Sequence, residues 1–296
     1  MMARKVYDCF TFWKELDVLE IRLNELYEVV DKFVIIESST THTGISKPFY
    51  LRQNLKRFDR FKHKIYLVSD SHFDPKLSPT RRQNKQRELI STALEALNPQ
   101  KQDLIILSDC DEIPRKSVIK QLIQNPANSI FELDGYLAYY NLYFQKWKRG
   151  RAILYKDFKG AQKVHRDYFI QDGYKMKRHK IIPFLRINPF FSTGKLDRLI
   201  GAWVGFKGPS PLNIIKNAGW HFSKMFSDDT ILESVKASSH TEFNSENISI
   251  DFIQKRKNEY SNFYGGSSKG IKVAIDDSFP EYLRLNAHKF KEFLLD

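Results

Sequence analysis

With 296 residues the chain can bury a full hydrophobic core, as one large α/β domain or as one domain with a C-terminal extension. An aromatic content of 14%, 28% charged residues and a mean hydropathy of −0.48 describe a folded protein with a hydrated surface and exclude a disordered tail. The net charge of +13 favours polyanionic partners, with nucleotide diphosphates, membrane phospholipid and nucleic acid all open on charge alone.

No uninterrupted apolar run is long enough to span a bilayer, and Met1 to Asp8 leads straight into a strand pattern, so neither a secretory signal nor a membrane anchor is expected. Cys9 and Cys110 are too few and too far apart for a Cys-based zinc site or a disulfide framework. They are expected as buried small hydrophobes in a reducing compartment, where the sequon Asn247-Ile248-Ser249 would be accidental. Linkers rich in Pro, Gly or Ser are missing, which predicts a single unit over 1–296.

Lys5 to Phe12 reads as a strand, and Leu16, Leu19, Leu23, Leu26 and Val30 recur at the spacing of an amphipathic helix. Asp31 to Glu37 is a second, buried strand, so the chain opens as strand, helix, strand, the beginning of a parallel sheet. A basic amphipathic stretch from Phe49 to Phe61 precedes a strand at Lys64 to Ser69. A helix carrying Leu89, Ile90, Ala93, Leu94 and Leu97 on one face then ends at Asn98-Pro99.

Asp103 to Ser108 is a short apolar run with polar ends, read as a central strand that delivers Asp109-Cys110-Asp111-Glu112 at its carboxyl end, the edge where open α/β sheets bind ligands. A helix over Ser117 to Gln124 follows Pro114, then strands around Ile130 to Tyr143 and Arg151 to Phe158. Residues 159–220, rich in Pro, Gly and basic side chains, suit loops around a cleft. From Trp220 onward the pattern turns helical, notably at Asp229 to Ala237 and Ser249 to Tyr260, and it ends in a basic, aromatic tail.

Aspartates two apart at a strand end project to one side while the chain stays extended, so Asp109 and Asp111 can converge on one hard cation. A divalent ion there can neutralise charge building on a diphosphate leaving group. The competing reading of an isolated Asp-x-Asp is an acidic turn that caps the next helix.

Several segments in order resemble glycosyltransferase family 17. They are Val6-Tyr7-Asp8-Cys9-Phe10-Thr11-Phe12 with Glu15-Leu16-Asp17 and Glu20-Ile21-Arg22-Leu23, then Phe33-Val34-Ile35-Ile36-Glu37-Ser38. Thr43-Gly44 with Lys47-Pro48, Asp109 to Pro114, and Gly219-Trp220-His221-Phe222-Ser223 complete the series, which spans about residues 5–245. The resemblance implies a GT-A type fold, a Rossmann-like, mostly parallel sheet flanked by helices with an additional antiparallel region. A nucleotide-sugar-binding half would occupy about 1–125 and an acceptor-side half about 126–296. It further implies a UDP-sugar donor, UDP-N-acetylglucosamine, with Mn²⁺ or Mg²⁺ and inversion at the anomeric carbon.

On this reading Asp111 binds the metal directly, and Asp109 assists through the metal shell or the ribose. His221 completes the site as GT-A enzymes commonly do with a C-terminal histidine, its bland alternative being a core histidine held by one hydrogen bond. Inverting transfer needs a general base for the acceptor hydroxyl. Glu242 is the first candidate because it follows the His221 segment closely, against the alternative of a solvated loop acid or a helix cap, and Asp134 is the reserve. Glu37, at the end of the second strand, would meet uracil or ribose, and Arg87 the diphosphate, against the alternative of surface salt bridges. Trp147, Trp203, Tyr139 and Tyr140 are candidate sugar-stacking platforms or core aromatics.

The basic loops Arg81-Arg82 and Lys175 to Lys180 are read as solvated faces, with a peripheral membrane-surface contact or an anionic acceptor as the alternative. Family members that act on animal N-glycans carry a membrane anchor. Its absence here directs the expectation to a bacterial or viral cytoplasmic enzyme acting on a glycan, polysaccharide or glycoconjugate acceptor. The rivals are a metal-dependent nucleotidyltransferase and a non-enzymatic nucleic-acid-binding protein. The second draws on the +13 charge and on Tyr143 to Arg149, but it leaves the acidic motif unexplained, so nucleic acid is not the expected partner.

Overall fold

The computed structural model describes residues 4–72, 74–164, 213–239, 248–263 and 268–295. Strands β1 (Val6–Phe12), β2 (Lys32–Ser38), β3 (Ile65–Asp70) and β4 (Leu104–Leu107) lie parallel in the order β3-β2-β1-β4. Helix α1 (Leu16–Leu26) joins the first two strands. The short α2 (Tyr50–Gln53) and a 3₁₀ segment over Leu55–Phe61 lead into β3, so the basic stretch forms two short pieces. Helix α3 (Pro79–Leu97) ends where the sequence places its stop: the Ser78 hydroxyl accepts from the Arg81 amide and Pro79 fills the first turn, and Asn98 ends the helix in the left-handed region at φ 49°.

Side-chain alternation divides this half of the sheet into two buried faces. Phe10, Phe12, Phe33, Ile35, Leu104 and Ile106 pack against α1 and α4 (Lys116–Gln124), whereas Tyr7, Cys9, Val34, Ile36, Ile105 and Leu107 pack against α3. Near-continuous apolar strands are therefore a requirement of being covered twice. Cys9 and Cys110 are free and buried, and burial pushes both thiols well above their usual pKa, which makes them inert packing groups.

The sheet continues with mixed polarity through β5 (Glu112–Pro114), β6 (Ser129–Leu137), β7 (Leu142–Leu154) and β8 (Asn213–Ser223). Strand β7 runs antiparallel to β4 and β6, β6 parallel to β8, and β8 antiparallel to β5. With β9 (Ile271–Lys272) on β7, the described residues place nine strands in one sheet, ordered β3-β2-β1-β4-β7-β6-β8-β5. Helices α5 (Asp228–Ala237), α6 (Ile250–Asn258) and α7 (Glu281–Leu285) follow, and Phe279, Leu283, Phe290 and Phe293 of the tail pack on Val18, Ile21, Tyr140 and Phe222.

Three expectations change. Strand β7 begins at Leu142, so the aromatic-basic run Tyr143 to Arg149 is a strand paired with β6. Residues 213–223, divided in the sequence reading between cleft loops and a helical region, form one strand whose outer half is mostly exposed and places Ile214 and Ile215 side by side, so it shows no apolar alternation. Glu112–Pro114 is a three-residue strand, too short to leave any periodic signal. No described helix is long and apolar enough to cross a membrane.

Candidate active site

Strand β4 ends at Leu107, and the chain does not stay extended through the acidic pair. The Glu112 amide donates to the Asp109 carbonyl at 3.0 Å, closing a tight turn that sends the Cys110 side chain into the core. Asp109 and Asp111 consequently reach different partners rather than converging by strand alternation. Asp109, 48% exposed, accepts from the Arg87 guanidinium at 3.1 Å, and Asp111, 23% exposed, meets His221 Nε2 at 3.3 Å.

The second contact is built by sheet register. Glu112 lies opposite His221, and Ile113 opposite Trp220, in the β5–β8 pair, while the Phe222 amide donates to the Asp111 carbonyl at 2.9 Å. Gly219 permits this approach, because a Cβ there would collide with the Ile113 carbonyl oxygen. Trp147 of β7 stacks on the imidazole with centroids 4.6 Å apart and planes at 22°, and its indole N–H donates to Glu112 Oε1 at 2.8 Å. The other Glu112 oxygen accepts from the amides of Asp109 at 3.1 Å and Gly150 at 3.3 Å. The imidazole is thereby fixed in plane and aimed at Asp111.

Negative charge accumulates here. Burial works against a charged His221, but Asp111, then Glu112 and Asp109, outweigh it and hold the imidazole pKa above its usual value. Burial, reinforced first by the charge of Asp109, raises Glu112. Glu15, whose carboxylate accepts from the amides of Trp13 and Lys14, is raised by burial and feels the charge of Asp111. Lys47 faces Glu37 and Glu15, and burial pulls its pKa down.

The remaining candidates separate. Arg87 and Asp109 sit together at the end of β4. Glu37 is fully buried and accepts from the amides of Leu51 at 2.8 Å and Arg52 at 3.2 Å, so its carboxylate caps α2 and is no surface salt bridge. Asp134 lies opposite Trp220, one residue out of phase with the Gly135–His221 pair, and strand alternation puts it on the face away from His221. There it bonds Lys146 at 2.5 Å. Tyr140 is a fully buried core residue, Tyr139 lies under the Lys257 ammonium, and Trp147 packs on His221. Glu242, Trp203 and Lys175 to Lys180 lie outside the described residues.

Among the described residues no three His, Cys, Asp or Glu side chains gather to hold a metal ion. The donors that do converge are two, the Asp111 carboxylate and the His221 imidazole, in a surplus of negative charge. That donor set fits Mn²⁺ or Mg²⁺ of the kind that takes its other ligands from substrate phosphates and water.

Sequence reasoning missed Arg22, which bonds the turn from beneath, as well as Glu112 and Glu15. All three stand in the segments that carried the family resemblance, which was the available signal.

A parallel half-sheet flanked by helices and continued by a mixed, partly antiparallel half is the arrangement of a GT-A-like fold. The chain belongs to glycosyltransferase family 17, whose model matches residues 1–172. It is similar to the beta-1,4-mannosyl-glycoprotein 4-beta-N-acetylglucosaminyltransferases of Homo sapiens and Rattus norvegicus, 24% identical over 252 residues, or 82% of this chain and 44% of each relative. The Mus musculus protein of that name matches to the same extent. The chain thus spans less than half the length of these relatives.

Proposed function

We propose that the protein transfers N-acetylglucosamine from its UDP derivative to a hydroxyl of a glycan, polysaccharide or glycoconjugate, with inversion at the anomeric carbon. The observation that carries this reading is the 3.3 Å approach of His221 to Asp111 at the carboxyl end of β4. The names of the mammalian relatives support N-acetylglucosamine as the sugar, but those proteins give no support to a bacterial or viral cytoplasmic setting.

Asp111 and His221 hold the divalent ion, which when bound neutralises charge on the departing diphosphate. Arg87, already on Asp109, reaches the diphosphate beside it. Glu37 acts on the nucleoside side by fixing the start of α2. The acceptor oxygen forms its bond to the anomeric carbon as the bond to UDP breaks, UDP leaves with the electron pair, and the acceptor proton passes to a carboxylate. Glu242 remains the proposed base, and Asp134, on the opposite face, is the weaker choice.

A screen of nucleotide sugars with Mn²⁺, repeated with Asp111→Ala, tests the reading. UDP release from UDP-N-acetylglucosamine, lost in the variant, is expected. Pyrophosphate release would identify a nucleotidyltransferase, and salt-sensitive nucleic-acid binding without turnover of any nucleotide sugar would identify a binding protein.

A further inference from the structure

We propose that Arg22 is the positioning residue of the donor site, setting the turn that presents Asp109 and Asp111; this rests on the donor-site reading given above. Arg22 is a helix residue of α1, fully buried, with its guanidinium over the Phe10 ring at 4.3 Å. Its Nε donates to Asp8 Oδ2 at 2.8 Å, and Nη2 to Asp8 Oδ1 at 2.6 Å and to the Ser108 hydroxyl at 2.7 Å. Nη1 donates to the carbonyls of Asp109 at 2.8 Å, Cys110 at 3.1 Å and Glu112 at 2.9 Å. All five N–H donors of the side chain are engaged.

The turn needs such a partner. The Asp109 carbonyl has a second donor in the Glu112 amide and the Glu112 carbonyl one in the Ser108 hydroxyl, whereas the buried Cys110 carbonyl is held by Arg22, and a buried backbone acceptor left unpaired is costly. The fourth carbonyl, of Asp111, is taken by the Phe222 amide of β8. Arg22 and β8 together therefore account for every carbonyl from Asp109 to Glu112. With the backbone held by Arg22, the Asp109 and Asp111 carboxylates stay partly exposed, Asp109 on Arg87 and Asp111 on His221. Asp8 balances the buried charge, and Ser108 ties the guanidinium to the Glu112 carbonyl through a further bond of 3.1 Å. Only arginine offers a planar fork with enough donors for two carboxylate oxygens, a hydroxyl and several carbonyls at once; lysine keeps the charge but has three donors on a point.

The test compares Arg22→Lys, which preserves the charge beside Asp8, with Leu23→Ala, a core control on the same helix. UDP affinity in Mn²⁺ is measured by calorimetry, stability by urea unfolding, and exchange of the Asp109 to Glu112 amides by mass spectrometry. Arg22→Lys is expected to weaken UDP binding by about 10-fold or more, the loss typical of groups that orient metal ligands, and to speed exchange in the turn. Leu23→Ala is expected to lose stability while keeping wild-type affinity and turn protection. Wild-type affinity in Arg22→Lys, or equal losses in both variants, overturns the proposal. If the wild-type protein itself binds no UDP in Mn²⁺, the donor-site reading fails. Exchange then decides the role of Arg22: faster in the turn of Arg22→Lys alone supports its hold on the turn, and unchanged overturns it.

Discussion

The two halves of the sheet differ in how they are buried and in what they contribute. The parallel strands β1, β2 and β4 are covered on both faces and carry runs such as Phe33 to Ile36 and Leu104 to Leu107 with essentially no exposed side chain. The mixed strands β7 and β8 alternate between buried and exposed stretches and carry lysines and arginines along their open parts. The doubly covered half ends in the Asp109 to Glu112 turn, and the open half brings His221 to it through the β5–β8 pair. The candidate site is thus a seam, and its chemistry depends on register between segments about a hundred residues apart.

Removing the contribution of the open half has the largest expected effect. His221→Ala should lower Mn²⁺-dependent UDP release by about 100-fold or more, the scale of losing one electrostatic stabiliser from an active site. Near-normal turnover would mean that the parallel half acts without the seam. A smaller loss is expected from Trp147→Phe, which keeps a ring over the imidazole but removes the bond to Glu112. The apparent Mn²⁺ constant, read from a metal titration of activity, should weaken about 10-fold with little change in maximal rate. An unchanged metal constant would mean that Trp147 merely packs.

In the parallel half the expected effect is on stability. Glu37→Ala leaves the Leu51 and Arg52 amides without their acceptor and should cost about 1–3 kcal/mol in urea unfolding. The smallest effect belongs to Asp134→Asn. It weakens a partly exposed pair with Lys146 and should change stability by no more than about 1 kcal/mol, leaving turnover intact. A large loss of turnover without a loss of stability would instead make Asp134 the base.

The same contrast explains what could be read in advance. Helix α1 was legible because Leu19, Leu23 and Leu26 recur on one face, and β4 because a strand buried on both sides must be apolar throughout. The segment Asn213–Ser223 was not legible as a strand. Its outer residues are exposed, Asn217 adopts φ 50°, and Gly219 is there for a close approach to Ile113 that no local pattern encodes. Asp109, Asp111, His221 and Arg87 were candidates in the sequence, but the contacts Arg87–Asp109 and His221–Asp111 were not legible there, since they come from the turn and from the β5–β8 register. Arg22 was hidden for the opposite reason: a charged residue within an amphipathic helix pattern reads as surface, and only the tertiary structure shows it buried on Asp8.

The measurement that bears most directly on the seam is calorimetric binding of UDP with and without Mn²⁺ to the wild-type protein and to Asp111→Ala. The account predicts that Mn²⁺ tightens UDP binding by about 10-fold or more in the wild type, through Asp111, His221 and the diphosphate acting on one ion, and has no such effect in the variant. UDP binding that ignores Mn²⁺, or that responds to it equally in both proteins, would contradict it.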